Sequence, residues 1–177
     1  GDDNTALGGA ALQSTTGNNN TGIGRNAGYL NTTGGNNIFI GLGAEGTLPT
    51  ASNEITLGNS SHTVIRAAVT TITALSDARD KKDIQELPVG LDFVNTLKPV
   101  TFVWNDRDES GKHDVKDFGF IAQDLKKAQE DVDLADTLKL VYESNPEKLE
   151  ASYGKLIPIL IKAIQDLSKE VDALKNK

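Results

Sequence analysis

Aliphatic residues recur along the first sixty positions in short bursts separated by polar turns. Ala6-Leu7-Gly8, Gly22-Ile23-Gly24, Phe39-Ile40-Gly41 and Thr56-Leu57-Gly58 follow one another at spacings of 16, 17 and 17 residues. Most are introduced by Asn or Thr, as in Asn4-Thr5 and Asn20-Thr21, and separated by turn formers such as Thr16-Gly17-Asn18 and Thr33-Gly34-Gly35. A few residues of strand followed by a Gly or Asn corner, repeated at fixed period, predicts a parallel β-roll or β-helix. One such rung cannot fold alone. Stacking would align Leu7, Ile23, Ile40 and Leu57 into an apolar ladder, expected to point inward. With so few aliphatics per rung, three chains around one axis would bury far more than one. The competing reading is a disordered Gly/Asn linker, which the regular spacing of the aliphatics opposes.

Residues 63–72 are β-branched and turn-poor, which predicts a strand. Beyond residue 75 the pattern changes. Leu87, Leu91, Val94 and Leu97 fall at helical spacing and predict a helix over residues 83–100, with Pro88 near its first turn and Pro99 past its end. Residues 100–104 and 117–122 read as strands, residues 123–130 as helix, and Leu140-Val141-Tyr142 as a further strand. Residues 132–140 are ambiguous. Phe102, Trp104, Phe118 and Phe120 read as core. From about residue 156, Ile157, Leu160, Ile164, Leu167, Val171 and Leu174 follow spacings of 3, 4, 3, 4 and 3, a heptad seam. Its rival is a helix packed on its own domain. The seam's own residues lean toward two strands.

Composition sharpens the division. The first sixty residues contain Tyr29 and Phe39 and no Trp, whereas the later part carries the charge, the single Trp and four of the five Pro. A formal charge of −7 and a pI near 4.8 argue against nucleic acid or anionic membrane as partners. No apolar run reaches the length of a membrane span, and no signal peptide is visible. There is no cysteine, hence no disulfide or thiol chemistry. Neither His62 nor His113 has neighbours at metal-ligand spacing. The acidic stretch around Asp106, Asp108 and Glu109 reads as a solvated loop, and no metal or cofactor is expected. No paired carboxylates or aromatic platform in the repeats suggest a carbohydrate-active enzyme. Gly1 without an initiating Met places the expected natural start upstream.

Candidate chemistry sits where the composition changes. Serine needs a base to become a nucleophile, and neither a Gly-x-Ser-x-Gly elbow nor a histidine triad is present. Spacing alone favours the reading that Ser76 and Asp77 cap a helix while Arg79, Lys81 and Lys82 are solvated.

A resemblance points the other way. Ser76-Asp77-x-Arg79-x-Lys81-Lys82-x-Ile84, then Leu97-Lys98-Pro99-Val100 and Trp104, then Gly119-Phe120-Ile121-Ala122-Gln123, then Tyr153-Gly154-x-Leu156-Ile157-Pro158 resemble the intramolecular chaperone domain of phage tail fibres and tailspikes. This is the self-cleaving peptidase S74 family typified by endosialidase tailspikes. The resemblance implies a Ser76–Lys81 dyad, Ser76 as nucleophile and Lys81 as general base, cutting between Leu75 and Ser76. Catalysis is expected to come largely from proximity, and the arrangement is expected only once three chains are together. The chain departs from the family at Asp80, where an aliphatic residue is usual, and at Asp83, often Asn. With Asp77, these carboxylates would favour a protonated Lys81. The repeats in turn resemble the β-roll rungs of trimeric adhesin heads and fibre shafts.

The expected architecture is therefore a multidomain α+β homotrimer. Residues 1–75 form a β-roll or triple β-helix shaft. Residues 76–177 form an α+β chaperone ending in a coiled coil, for which the family context favours three strands. The resemblance implies upstream tail proteins and a host surface receptor as partners. It places the mature shaft on the virion and the chaperone's work in the host cytoplasm. The alternative is a non-cleaving adhesin stalk with a permanent coiled-coil anchor.

Overall fold

A computed structural model describes residues 1–69, 71–105 and 114–176. The acidic stretch at Asp106, Asp108 and Glu109, with His113, lies outside the described residues. The fold is α+β and ends in a long helix. It divides into two units. One comprises Gly1–Ile65, Thr101–Asp117 and Glu143–Leu149, and the other Arg66–Val100, Phe118–Tyr142 and Glu150–Lys177.

The first unit is built on four three-residue strands, β1 (Thr5–Leu7), β2 (Thr21–Ile23), β3 (Ile38–Ile40) and β4 (Ile55–Leu57). They pair in sequence order and in parallel, so that Leu7, Ile23, Ile40 and Leu57 stand in one column. The corners explain the composition. Asp3, Asn19, Asn36 and Asn53, two residues before each strand, all have left-handed backbone, with φ from 57° to 64°. Asn and Asp tolerate that region better than other side chains. After the strands, Gly8, Gly24 and Gly41 have φ near +120 to +130°. They also stack closely: a Cβ on Gly24 would lie 2.6 Å from the Gly41 carbonyl oxygen.

Between corner and strand runs a column of Asn4, Asn20 and Asn37, closed by Glu54. The Asn4 Oδ1 accepts from the Asn20 N–H at 2.9 Å, the Asn20 Oδ1 from the Asn37 N–H at 3.1 Å, and the Asn37 Oδ1 from the Glu54 N–H at 2.9 Å. Each side-chain amide also donates forward, to the carbonyls of Gly17, Gly34 and Ala51 respectively. Asn20 and Asn37 are essentially fully buried, so these bonds have no water to replace them. Asn20→Ala would orphan the Asn37 N–H, at about 1–3 kcal/mol, while the Gly34 carbonyl keeps the Asn31 side-chain amide at 3.1 Å. The expected result is a clear fall in the thermal midpoint of this unit, measured by circular dichroism.

The expected inward ladder is corrected. Leu7, Ile23, Ile40 and Leu57 align, but they are 67, 39, 41 and 56% exposed. Side chains alternate across a strand, and here the middle residues of β2 and β3, Gly22 and Phe39, are buried, while Thr56 of β4 is half-buried and Ala6 of β1 is exposed. The interior is Phe39 with Leu12, Ala27 and Ala44. Gly22 occupies the middle position of β2 because Leu12 fills the space; a Cβ there would lie 2.8 Å from Leu12 Cγ. The aliphatic column is therefore the outer face. Past β4 the described part of residues 63–72 forms no strand, and Ile65, Val69 and Ile72 are exposed. The residues have β propensity, but propensity needs a neighbouring strand to act on.

Two later segments belong to this first unit. Residues 101–117 carry most of a two-stranded ribbon of β5 (Val100–Val103) and β6 (Lys116–Gly119). Phe102 and Trp104 stack edge-to-face along it at 5.3 Å. They do not form a closed core with their neighbours: Phe118 is 80% exposed. In the segment 143–149, Asn145 Nδ2 donates to the Thr47 carbonyl at 2.8 Å and Ser144 pairs with the Thr47 hydroxyl at 3.1 Å.

In the second unit the helix expected over 83–100 shrinks to α1 (Leu91–Thr96). Asp83 takes a left-handed φ of 53°, and Pro88 disfavours helix at Leu87. Leu97 is already extended, with ψ of 144°. α2 (Ala122–Asp131) and the short α3 (Ala135–Leu138) follow, then the antiparallel pair β7 (Val141–Tyr142) and β8 (Glu150–Ala151). α4 (Leu156–Lys175) closes the chain. Its Pro158 lies in the first turn, where a missing N–H costs no helical bond. Phe93, Leu125, Leu138, Leu140, Leu156, Ile159 and Ala163 are buried. Gln129, also buried, accepts the Leu140 N–H at 2.8 Å.

Helix α4 has two apolar faces. Leu156, Ile159 and Ala163 face inward, and α1 packs against the helix. Gly90 permits that approach, since a Cβ there would collide with the Asp166 carboxylate. The heptad seam at Ile157, Leu160, Ile164, Leu167, Val171 and Leu174 forms the adjoining stripe and is exposed throughout, from 38% at Val171 to 68% at Leu174. Packing on its own domain and presenting a seam are thus both properties of this helix.

Candidate active site

Ser76 ends an exposed extended segment and is followed by one 3₁₀ turn, Ala78–Asp80. Asp77 caps that turn: its Oδ1 accepts the Arg79 N–H at 2.8 Å. The cap reading therefore holds for Asp77, and it leaves Ser76 outside the turn. The Lys81 N–H closes the turn on the Ala78 carbonyl, and Lys81 itself is extended.

This local path resolves the spacing difficulty. Residues five apart on an α-helix do not face each other. A tight turn flanked by extended residues folds the chain back, and Lys81 Nζ reaches Ser76 Oγ at 2.7 Å. The same ammonium donates to the Ser76 carbonyl at 3.2 Å. Both sequence-predicted residues are thus together, and they meet within one chain. The expectation that this contact awaits three chains is corrected. Its cause is local backbone geometry.

The three nearby carboxylates behave differently from one another. Asp77 is gripped by Arg79. Nε lies 3.0 Å from Oδ1 and 3.2 Å from Oδ2, and Nη2 lies 2.6 Å from Oδ2. The guanidinium holds the Asp77 carboxyl below its usual value and is itself held above its own. Asp80 contributes its backbone N–H to the Asp77 carbonyl. Among the described residues neither Asp80 nor Asp83 pairs with Lys81, whose partners are both on Ser76.

Leu75 is 97% exposed, and residues 71–86 are exposed throughout. Base chemistry requires a neutral amine that accepts the hydroxyl proton, a form that burial of a lysine favours.

Motifs that are far apart in sequence also meet. The Phe120 N–H donates to the Tyr153 hydroxyl at 3.2 Å, and the two rings pack edge-to-face at 5.9 Å. Nothing in the spacing pointed to that pair; only tertiary structure reveals it.

A family model described as chaperone of endosialidase matches residues 76–134, about a third of the chain. The match supports a chaperone domain and begins at Ser76, the residue that Lys81 contacts. No curated protein and no solved structure matches the chain.

Proposed function

We propose that the chain is the C-terminal part of a phage tail fibre or tailspike. In this reading residues 1–75 are a β-roll shaft and residues 76–177 an intramolecular chaperone with a coiled coil from about residue 156. The chaperone gathers three copies, the shaft folds, and the chaperone then frees itself by cutting between Leu75 and Ser76. The observation that carries the reading is the 2.7 Å contact of Lys81 Nζ with Ser76 Oγ at the first residue of the chaperone match.

The chemistry follows from that contact. Neutral Lys81 takes the Ser76 hydroxyl proton as Oγ attacks the Leu75 carbonyl carbon. The C–N bond breaks, Lys81 returns the proton to the departing Ser76 nitrogen, and an ester joins Leu75 to Ser76 Oγ. Water then cleaves the ester, leaving a Leu75 carboxylate and a new N-terminus at Ser76. Nucleophile and scissile bond are adjacent in the chain, so no substrate pocket is needed.

Two exposed apolar surfaces support the trimer. One is the outer column Leu7, Ile23, Ile40 and Leu57; the other is the α4 seam. The column repeats at the spacing of stacked strands, about 4.8 Å, which a second stack of the same rungs matches along its length. Association would also dehydrate residues 71–86 and so supply the burial that Lys81 needs as a base. The mature shaft would stand on the virion, with upstream tail proteins and a host receptor as its further partners.

The exposure of the Ser–Lys pair favours a second reading, a non-cleaving trimeric stalk with a permanent anchor. Intact mass measured together with light scattering on the purified chain separates the two. The proposal expects three copies and fragments ending at Leu75 and beginning at Ser76. Uncut trimers after long incubation would favour the stalk, and a stable monomer would remove both.

A further inference from the structure

The Asp77–Arg79 pair takes no part in the bond-breaking steps above, yet it is the most completely satisfied ionic contact near them. Asp77 and Lys81 flank the same 3₁₀ turn as its first and last capping residues, so the acid and the base belong to one short segment. They do not pair here. Both Asp77 oxygens are taken by Arg79, through one backbone and two side-chain nitrogens. Lys81 turns instead to Ser76.

We propose that Arg79 is a positioning residue for the Ser76–Lys81 pair: it holds the Asp77 carboxylate in a two-oxygen grip, keeps that anion off Lys81, and leaves the amine to the serine hydroxyl. The inference rests on the self-cleavage reading and adds to it a role for a residue that touches neither reacting atom. Other charges on this segment are Asp80, Lys82 and Asp83, and none forms an ion pair with Lys81 among the described residues. Among the described residues it is Arg79 that forms an ion pair with Asp77.

The sign follows from electrostatics. Without Arg79, the Asp77 anion is free to pair with the Lys81 ammonium. An opposite charge at contact favours the charged form of lysine, so neutral amine becomes scarcer at any given pH. A displacement of about one pH unit corresponds to a roughly tenfold slower reaction on the rising limb of the profile. The effect should vanish when the carboxylate is removed, because Asn caps a turn as well as Asp.

The test uses the full chain and follows scission by intact mass from pH 6 to 10. Arg79→Ala is expected to slow cleavage about tenfold at neutral pH and to move the profile upward by about one unit. Asp77→Asn, which also abolishes the ion pair, is expected to cleave at least as fast as wild type. The double variant Arg79→Ala with Asp77→Asn is expected to recover the wild-type rate. If Asp77→Asn is as slow as Arg79→Ala, the pair acts only as a structural brace and the proposal is wrong. An unchanged rate in Arg79→Ala overturns it equally, while leaving self-cleavage standing. A wild-type chain that never cuts removes the underlying reading instead.

Discussion

Ser76→Ala is expected to yield a chain that assembles but stays whole. The substitution deletes one oxygen on an exposed segment, so it should leave folding and association untouched while removing the atom proposed to attack the Leu75 carbonyl. Loss of scission at this bond should be complete. Lys81→Ala is expected to be nearly as severe, since a positioned base contributes roughly 10²–10⁴-fold. The 2.7 Å contact makes a stronger demand than the pair of losses alone. Lys81→Arg keeps the charge and the reach, but guanidinium does not deprotonate at accessible pH. It should be as inactive as Lys81→Ala. Electrophoresis of purified chains under denaturing conditions reads all three. Cutting at the normal rate in Ser76→Ala would end the dyad proposal outright.

The second large effect should come from α4. Ile164→Asp and Leu167→Asp, on the exposed seam, are expected to convert the assembly to single chains at micromolar concentration. In a bundle each would bring several like charges into one apolar layer, a desolvation cost that the contact cannot offset. Helix content should persist, because the same helix is held by the buried Leu156, Ile159 and Ala163 on the adjoining stripe. Ile159→Ala is the control. It should cost about 2–5 kcal/mol of domain stability without directly touching the seam. Scission should fall with the trimer in the seam variants, since the proposed burial of residues 71–86 on association would be lost. Sedimentation velocity alongside circular dichroism separates loss of assembly from loss of fold. Seam variants that sediment as trimers would show that α4 does not gather the chains.

These outcomes bear on how much of the molecule its sequence discloses. Position along the repeats was legible, because 16- and 17-residue spacing needs only counting. Direction was not. A three-residue strand shows both faces equally, and the middle positions Ala6, Gly22, Phe39 and Thr56, of which Gly22 and Phe39 are buried, carry no consistent hydrophobic signal. The interior is filled by Leu12, Ala27 and Ala44 from the corners, which periodicity along the strands does not capture. The α4 seam was legible for the opposite reason: twenty residues give the helical period room to declare itself. The helix over 83–100 was overread because four well-spaced aliphatics outweighed Pro88 and the left-handed Asp83. At the site, the Ser–Lys pair could be suggested only by resemblance. Helical spacing argued against it, and a single 3₁₀ turn between extended residues is too short to leave a periodic trace. The grip of Arg79 on Asp77 is not legible in the sequence, where Asp77 reads as a cap and Arg79 as a solvated charge.

The asparagine column has a consequence for how such a chain can change in length. Each side chain reaches forward one rung, to the same two backbone groups every time. Inserting or excising a whole repeat would hand every amide an equivalent partner, whereas adding a few residues within a corner would throw all later ones out of phase. Length is therefore quantised, in steps of one turn of the stack. The series also carries its own terminator. Glu54 stands where the fourth asparagine would be, and a carboxylate has no N–H to pass onward; it turns back to the Thr47 N–H instead.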